Sequence, residues 1–160
     1  MLETKEIEKE IKSRILSVFP DFEFEFCETV KSRILSVFPN YDFELNKKIN
    51  FRPRTNNEPG TVYIYAQDGQ YHYITIGDRG AVFHDEFTSE DDVLYALLAP
   101  FIFRKALDYE KEHREPGKDY RRIWFNKEIE LYSKFGKEFE ERKTAQINEI
   151  LRKAPYHDEE

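Results

Sequence analysis

Three short runs in the middle of the sequence alternate in side-chain type, and turn residues separate them. The runs cover residues 61–67, 71–77 and 81–87. Alternation with a period of two is typical of β-strands, whose side chains point to opposite faces in turn. Asp68-Gly69 and Asp78-Arg79-Gly80 supply residues that tolerate the positive φ angles of tight turns. The pattern predicts a three-stranded antiparallel meander.

The alternation also predicts what each face of this sheet carries. We expect one face to be aliphatic and the other to be lined by tyrosines. The members are Val62, Ile64, Ile74 and Ile76 on the first face, and Tyr63, Tyr65, Tyr71 and Tyr73 on the second. An exposed tyrosine face would suit protein recognition, because tyrosine buries a large area at low entropic cost. A helix lying over it would make it a second core layer, and we favour the covered arrangement.

An internal repeat precedes the meander. The segment KSRILSVFP stands at residues 12–20 and again at residues 31–39, an offset of 19 positions. Helical spacing leads up to each proline, at Ile7, Ile11, Ile15 and Phe19 and then at Val30, Ile34 and Phe38. Alternation follows each proline, at Phe22, Phe24 and Phe26 and then at Tyr41, Phe43 and Leu45.

The repeat therefore predicts a helix–strand unit that occurs twice within residues 1–49. Two copies are fewer than the three or more that a solenoid needs. We interpret them as a duplicated segment at the N-terminal edge of one domain. The alternative is a local duplication tolerated at the edge of an otherwise complete fold.

The C-terminal half has the spacing and the boundary residues of helices. Thr88-Ser89 followed by three acids predicts a helix start, because hydroxyl groups cap helix N-termini and acids favour the positive end of the dipole. This helix should extend to His113 and should bend at Pro100. Its apolar residues surround nearly the whole circumference, so we expect it to be the central buried helix. Two further helices are predicted, one between Asp119 and Gly136 and one over residues 138–153.

These elements predict a single α+β domain over residues 1–160. An antiparallel sheet, made of the meander and the N-terminal helix–strand units, should pack against a C-terminal layer of three helices. We expect the last helix to bury a set of apolar residues, namely Phe139, Ile147, Ile150 and Leu151.

Composition limits the environment and the partners. Net charge is −7, so the field of the chain should repel phosphate backbones, and we expect no nucleic acid ligand. No apolar run approaches the roughly 20 residues of a membrane span, so we expect no membrane contact. The single Cys27 cannot form an intramolecular disulfide, which favours a reducing cytoplasm.

No catalytic group of residues is evident. Glu110 and His113 have the i, i+3 spacing found in di-iron bundles, but no second such pair accompanies them. A salt-bridge cluster at the ends of two helices is the alternative, with members Glu110, His113, Arg114, Asp119, Arg121 and Arg122. No glycine-rich phosphate loop is present either. We therefore predict no enzyme activity, no metal site and no cofactor.

Several short motifs resemble one known family. They are Tyr71-His72-Tyr73-Ile74, Asp78-Arg79-Gly80, Tyr109-Glu110, Glu112-His113-Arg114, Asp119-Tyr120-Arg121-Arg122 and Ala154-Pro155-Tyr156. In order and spacing they resemble the immunity protein 63 family of bacterial polymorphic toxin systems. The resemblance covers residues 60–157 and leaves the N-terminal duplication outside it. Members of that family carry an acidic residue before the Arg-Gly turn, which is Asp78 in this sequence.

The resemblance implies a cytoplasmic protein that binds a cognate toxin domain and blocks it without chemistry. The toxin would be basic, for example a nuclease, if the negative charge speeds its capture. We expect a monomer or a weak dimer. Candidate partner-binding residues are Asp78, Arg79, Asp85, Glu86, Glu110, Arg114, Asp119 and Arg121, any of which could instead form structural ion pairs. The tyrosines Tyr63, Tyr65, Tyr71 and Tyr73 are a further candidate surface.

Two other classes of function stay open at this point. A scaffold could associate with itself through the strand edges of the duplicated N-terminal units. A metal-dependent enzyme could use Glu110, His113 and Asp119, although the second metal-binding pair of a bundle site is lacking.

Overall fold

The structure is a computed structural model that describes residues 24–41 and 49–159. Helices and strands, joined by loops, make up most of these residues. The elements are α1 (Phe24–Val37), β1 (Ile49–Asn50), β2 (Val62–Gln67), β3 (Gln70–Ile76), β4 (Val82–Phe87), α2 (Glu90–His113), α3 (Arg121–Ser133) and α4 (Lys137–Lys153). This set of helices and strands confirms the expected α+β class. The chain divides into two units, Met1–Leu94 and Tyr95–Glu160. The single domain expected from the sequence stays a prediction.

The meander is confirmed. The strands lie in the order β1-β2-β3-β4, and β2, β3 and β4 pair antiparallel. Asp68 and Gly69, with φ angles of 53° and 75°, join β2 to β3 in a two-residue turn. Arg79, with a φ angle of 64°, lies in the short 3-10 turn that joins β3 to β4. The two-residue strand β1 pairs parallel to β2, so the sheet is mixed rather than purely antiparallel.

The predicted division into an aliphatic face and a tyrosine face is wrong. Tyr63 lies directly opposite Ile74, and Ile64 lies opposite Tyr73, so each face carries both kinds of residue. The two-residue turn is the cause, because it pairs odd-numbered residues of one strand with even-numbered residues of the next. Tyr63 and Tyr73 are buried, whereas Tyr65 and Tyr71 are half-buried. The tyrosines therefore form no continuous recognition surface.

Only part of the N-terminal repeat can be compared with the structure. Lys31 to Val37 of the second copy lie in α1, as predicted, and Val30 and Ile34 are fully buried. The strand predicted around Phe24 and Phe26 is wrong, because both residues lie in the same helix. Helix formers alternate with the phenylalanines here, so the period-2 pattern does not exclude a helix. The first copy and the second predicted strand beyond Tyr41 lie outside the described residues.

An ion-pair group joins α1 to the beginning of α2 within the first unit. Arg33 Nη1 donates hydrogen bonds to Glu90 Oε1 at 3.0 Å and to Asp91 Oδ1 at 2.6 Å. The predicted cap of α2 is confirmed at Ser89, whose hydroxyl oxygen accepts a hydrogen bond from the backbone N–H of Asp92 at 3.2 Å. The Ser89 hydroxyl also donates to Asp92 Oδ2 at 2.7 Å, so Arg33 and Ser89 together bind all three carboxylates of this first turn.

Helix α2 is less buried than predicted. Leu98, Ile102 and Ala106 lie along its buried side, but Phe103 is 42% exposed. The helix therefore has a solvent side, and apolar residues around its circumference do not require complete burial. Pro100 lies inside the helix as expected. No helix in the described part of the chain combines the length and hydropathy of a membrane span.

Helices α3 and α4 pack against each other in the second unit. Their buried apolar residues are Phe125, Leu131, Tyr132, Phe139 and Ile147. Ile150, predicted to be buried, is 45% exposed. Lys143 lies 3.5 Å from the buried carboxylate of Glu128, and burial raises the pKa of Glu128 although the lysine opposes that shift.

Candidate protein-binding surface

The candidate residues fall into two groups in the structure. Asp78, Arg79, Asp85 and Glu86 lie in the first unit on and just before β4, and all four are exposed. The other four, Glu110, Arg114, Asp119 and Arg121, lie in the second unit, where they form ion pairs with short hydrogen bonds. In the first group, Glu86 lies within ion-pair distance of His72 and His84, and all four side chains remain exposed to a partner.

Glu110 and Arg114 form one of these ion pairs at the end of α2. Arg114 Nε donates to Glu110 Oε1 at 2.6 Å, and Arg114 Nη2 donates to Glu110 Oε2 at 2.8 Å. The glutamate is 1% exposed, and the guanidinium holds its pKa below the usual range. His113 instead stacks on Tyr109, with its Nδ1 2.8 Å from the carbonyl oxygen of that residue. Both oxygens of Glu110 thus pair with Arg114, and His113 contacts Tyr109.

Asp119 is the centre of a second, larger group. Its Oδ1 accepts from the backbone N–H of Arg121 at 3.0 Å, and its Oδ2 accepts from Arg121 Nη2 at 2.6 Å and from the backbone N–H of His157 at 2.9 Å. Arg121 also donates to the carbonyl oxygens of Ala154 and Pro155. Arg121 and these backbone bonds keep the pKa of Asp119 well below its usual range.

The tail after α4 completes this group. Arg122 donates from Nε and Nη2 to the two oxygens of Asp158, each at 3.0 Å, and its guanidinium carbon lies 4.2 Å from the centre of the Tyr156 ring. We call Asp119, Arg121, Arg122, Tyr156 and Asp158 the C-terminal clasp. The clasp connects the α2–α3 loop to the C-terminal tail, rather than connecting two helix ends as the sequence suggested. The hydrogen bonds of Asp119 and Arg121 described above all lie within this region.

A surface cleft of about 440 Å³ lies beside the clasp. Its walls are mostly polar and charged: Glu115, Lys118, Asp119, Tyr120, Arg122, Ile123, Asn126 and Asp158. Ligand pockets are usually lined by apolar and aromatic side chains with a few polar groups. The lining of this cleft, and the ion pairs that already engage Asp119, Arg122 and Asp158, make it a weak candidate for a ligand site.

Strand β4 is the most open element in the described residues. Its only sheet neighbour there is β3, so β4 forms an edge. Every residue from Val82 to Glu86 is exposed, and Phe83 is exposed over 58% of its surface. Phe83 packs against Gly77, where an added Cβ would lie 2.8 Å from Phe83 Cε2. An open strand edge with an exposed aromatic residue is the type of surface to which an extended segment of another protein can add.

A side-chain cluster that the sequence analysis missed lies on one face of this edge. His72 of β3 lies directly opposite Glu86 of β4, and His84 is two residues before Glu86 on the same face. His72 Nδ1 lies 2.9 Å from His84 Nε2, and Glu86 Oε1 lies 3.6 Å and 3.8 Å from these two nitrogens. The strand register was the missing information, since the three residues lack a short metal-binding motif.

The described candidate residues either form ion pairs or lie on an exposed surface. The family model described as immunity protein 63 matches residues 67–149, slightly more than half of the chain. The chain belongs to the immunity protein 63 family, which confirms the resemblance seen in the sequence. The match includes β3, β4, α2 and α3 but ends before the Ala154-Pro155-Tyr156 motif. No curated protein and no solved structure matches the chain.

Proposed function

We propose that this chain is an immunity protein that binds the toxin domain of a bacterial polymorphic toxin system and inhibits it by direct contact. The family match supports the immunity role. The exposed edge strand β4, which lies wholly inside the matched range, is the observation that carries the choice of surface. The proposal contains no catalytic step. We place its action in the cytoplasm. The chain has a single cysteine and so forms no intramolecular disulfide, which suits a reducing compartment.

Binding in this proposal begins with main-chain pairing. An extended segment of the toxin pairs with the open edge of β4, and main-chain hydrogen bonds supply affinity that depends little on side chains. Phe83 supplies the anchor, because exposed aromatic residues dominate the energetics of many interfaces. The loss of water from its exposed ring on binding favours the complex.

Charge complements this pairing. Asp85 and Glu86 are exposed on the edge strand, and the chain has a net charge of −7. A basic toxin, such as a nuclease, would meet an attractive field that raises the association rate at low salt. The acids of the first turn of α2 contribute less, since Arg33 already pairs with Glu90 and Asp91. Asp85 is therefore the residue at which a charge reversal should slow association most clearly.

An immunity protein must leave almost no free toxin, which requires a dissociation constant of nanomolar order. That affinity corresponds to roughly 12 kcal/mol and to an interface of about 1,600 Å² in total. A strand edge alone supplies too little area, so the contact surface must extend from β4 onto its neighbours. The exposed turn residues Asp78 and Arg79 border the strand and fall within such a surface.

The test is coexpression of the tagged chain with the toxin domain encoded beside it, followed by co-purification and an assay of toxin activity. We expect a stoichiometric complex in which the toxin is inactive. Phe83→Ala should weaken binding tenfold or more, whereas Phe103→Ala, an exposed aromatic residue of the second unit, should leave the affinity within twofold. Circular dichroism of each variant establishes that it is folded.

Charge reversal tests the electrostatic part. Asp85→Lys should slow association severalfold at low salt, with a smaller effect at high salt, whereas Asp108→Lys on α2 should have little effect. Failure of the chain to capture or inhibit the toxin would overturn the immunity proposal. Normal inhibition by Phe83→Ala would retain the immunity role and move the interface away from β4. A stable dimer in light scattering that Phe83→Ala converts to a monomer would instead assign the β4 edge to a second copy.

A further inference from the structure

We propose that His72, His84 and Glu86 bind a divalent transition-metal ion of the zinc class at the β3–β4 edge of the sheet. The three side chains come from neighbouring strands of one hairpin, and each offers a nitrogen or oxygen atom to a common point. A metal ion needs at least three histidine, cysteine or carboxylate ligands close together. Among the described residues, these three side chains meet that condition. The inference goes beyond the immunity role and does not depend on it.

The distances among the donor atoms fit such an ion. His72 Nδ1 lies 2.9 Å from His84 Nε2 and 3.6 Å from Glu86 Oε1, and His84 Nε2 lies 3.8 Å from Glu86 Oε1. The point equidistant from the three atoms in their plane lies about 2.0 Å from each, which matches the usual zinc–nitrogen and zinc–oxygen distances. The three donor atoms therefore already have a spacing at which one ion can contact all of them.

The kinds of donor atom select the class of ion. Two imidazoles and one carboxylate suit zinc and similar transition metals, whereas magnesium and calcium prefer oxygen atoms alone. The side chains of His84 and Glu86 are 39% and 50% exposed, so a fourth coordination position faces solvent. A water molecule or a side chain of another protein can occupy that position. Three protein ligands with an open fourth position are also the arrangement of exchangeable and catalytic zinc sites.

The surroundings of His72 hold its imidazole ready to bind. The side chain of His72 is 12% exposed, and its ring stacks on Tyr65 with 4.7 Å between ring centres. His72 Nε2 lies 3.4 Å from the carbonyl oxygen of Gln67. A proton on Nε2 directed at that oxygen leaves the lone pair of Nδ1 for the ion, and such an outer hydrogen bond commonly orients metal-binding histidines. Pairing of β3 with β4 sets the separation of the other two ligands.

The competing explanation is a hydrogen bond between the two imidazoles, which the distance of 2.9 Å also allows. That pair would need no ion, and Glu86 would only lie 3.6 and 3.8 Å from the two ring nitrogens. The two explanations differ in what a metal titration shows. The chain also supplies its own controls, since His113 and His157 are the two remaining histidines of four and neither lies in the cluster.

The experiment is a zinc titration of the metal-free full chain at pH 7.5, in competition with a chromophoric chelator. We expect one zinc ion per chain. His84→Ala should weaken binding at least tenfold, as should Glu86→Gln, while His113→Ala should stay within twofold of the parent chain. Both ligand positions are exposed, so these variants should fold, and circular dichroism checks this. Magnesium at the same concentration should not compete.

Cobalt supplies a second readout that is independent of affinity. Cobalt bound to the parent chain should give visible absorption bands of a site with nitrogen ligands, and His84→Ala should remove them. Absence of zinc binding would overturn the proposal in favour of the imidazole hydrogen bond. So would zinc binding at several ions per chain that His84→Ala and Glu86→Gln leave unchanged, because that pattern is adventitious surface binding.

Discussion

Replacing Asp119 by alanine should unfold the C-terminal clasp and destabilise the second unit. The substitution removes the acceptor of two backbone N–H groups and of the Arg121 guanidinium. A hydrogen bond to a charged group contributes roughly 1.5–3 kcal/mol and a neutral one about 1 kcal/mol. Arg121 keeps its bonds to the carbonyl oxygens of Ala154 and Pro155, which recovers part of the loss. We expect a net destabilisation of about 3 kcal/mol.

Urea denaturation followed by tryptophan fluorescence measures this loss. The chain has a single tryptophan, Trp124, which lies in α3 of the same unit, so the signal reports on the region that contains the clasp. For a chain of this length, about 3 kcal/mol corresponds to a melting temperature roughly 6–12 °C lower. The control is Asp108→Ala, which removes an exposed partner of Lys111 and should change the free energy of unfolding by less than about 0.5 kcal/mol.

The effect of the substitution should also depend on pH in one direction. The pKa of Asp119 lies well below its usual range in the folded chain because Arg121 and backbone N–H groups stabilise the carboxylate. Its contribution to stability is therefore present above the unfolded pKa of about 3.9 and is lost as pH falls toward the folded value. The difference between the parent chain and Asp119→Ala should shrink by about 1.4 kcal/mol for each pH unit below 4.

Two results would refute this reasoning. One is a destabilisation at pH 7 no larger than that of Asp108→Ala, which would mean that the clasp contributes nothing to the folded state. The other is a difference in unfolding free energy between parent and Asp119→Ala that stays constant from pH 7 to pH 3. That result would show that the carboxylate of Asp119 titrates normally and does not bear the interactions described above.

Two further predictions concern the first unit. Ile34→Ala should cost about 2–4 kcal/mol because Ile34 is fully buried, whereas the neighbouring Leu35→Ala, at a residue 40% exposed, should cost less than about 1 kcal/mol; thermal unfolding compares the two. Gly69→Ala should cost roughly 1–2 kcal/mol in urea denaturation, because the φ angle of 75° is unfavourable for a residue with a Cβ although no atom obstructs one there. A neutral Gly69→Ala would contradict the turn geometry.

The strands and turns of the meander could be predicted because the relevant information is local. The dipeptide Asp68-Gly69 predicts the type of turn, and the alternation of side chains predicts where each strand begins and ends. The face assignment failed although the same two turn residues contained the answer. A two-residue turn sets the register, and the register decides which side chains share a face. The alternation of one strand does not by itself show which side chains of the next strand share its face.

The candidate residues show the same division between local and distant information. Exposure of Asp85 and Glu86 on β4 agrees with their proposed role at an interface. Only the tertiary structure shows which charged residues already form hydrogen bonds or ion pairs. Asp119, for example, accepts a hydrogen bond from the backbone N–H of His157, which is 38 positions away in the sequence. Glu110 and Arg114 are four positions apart, so that pair was within reach of the helical pattern.

Local sequence thus accounts for the element types, the Asp-Gly turn, the cap at Ser89, the acidic field and the family motifs, because each depends on residues a few positions apart or on composition. The C-terminal clasp and the cluster of His72, His84 and Glu86 depend on contacts between distant residues. Alternation in a strand predicts which face of the sheet a side chain lies on. It does not predict which residue of the next strand pairs with it. Strand pairing brings the two histidines within 2.9 Å, and that distance is a property of the folded sheet.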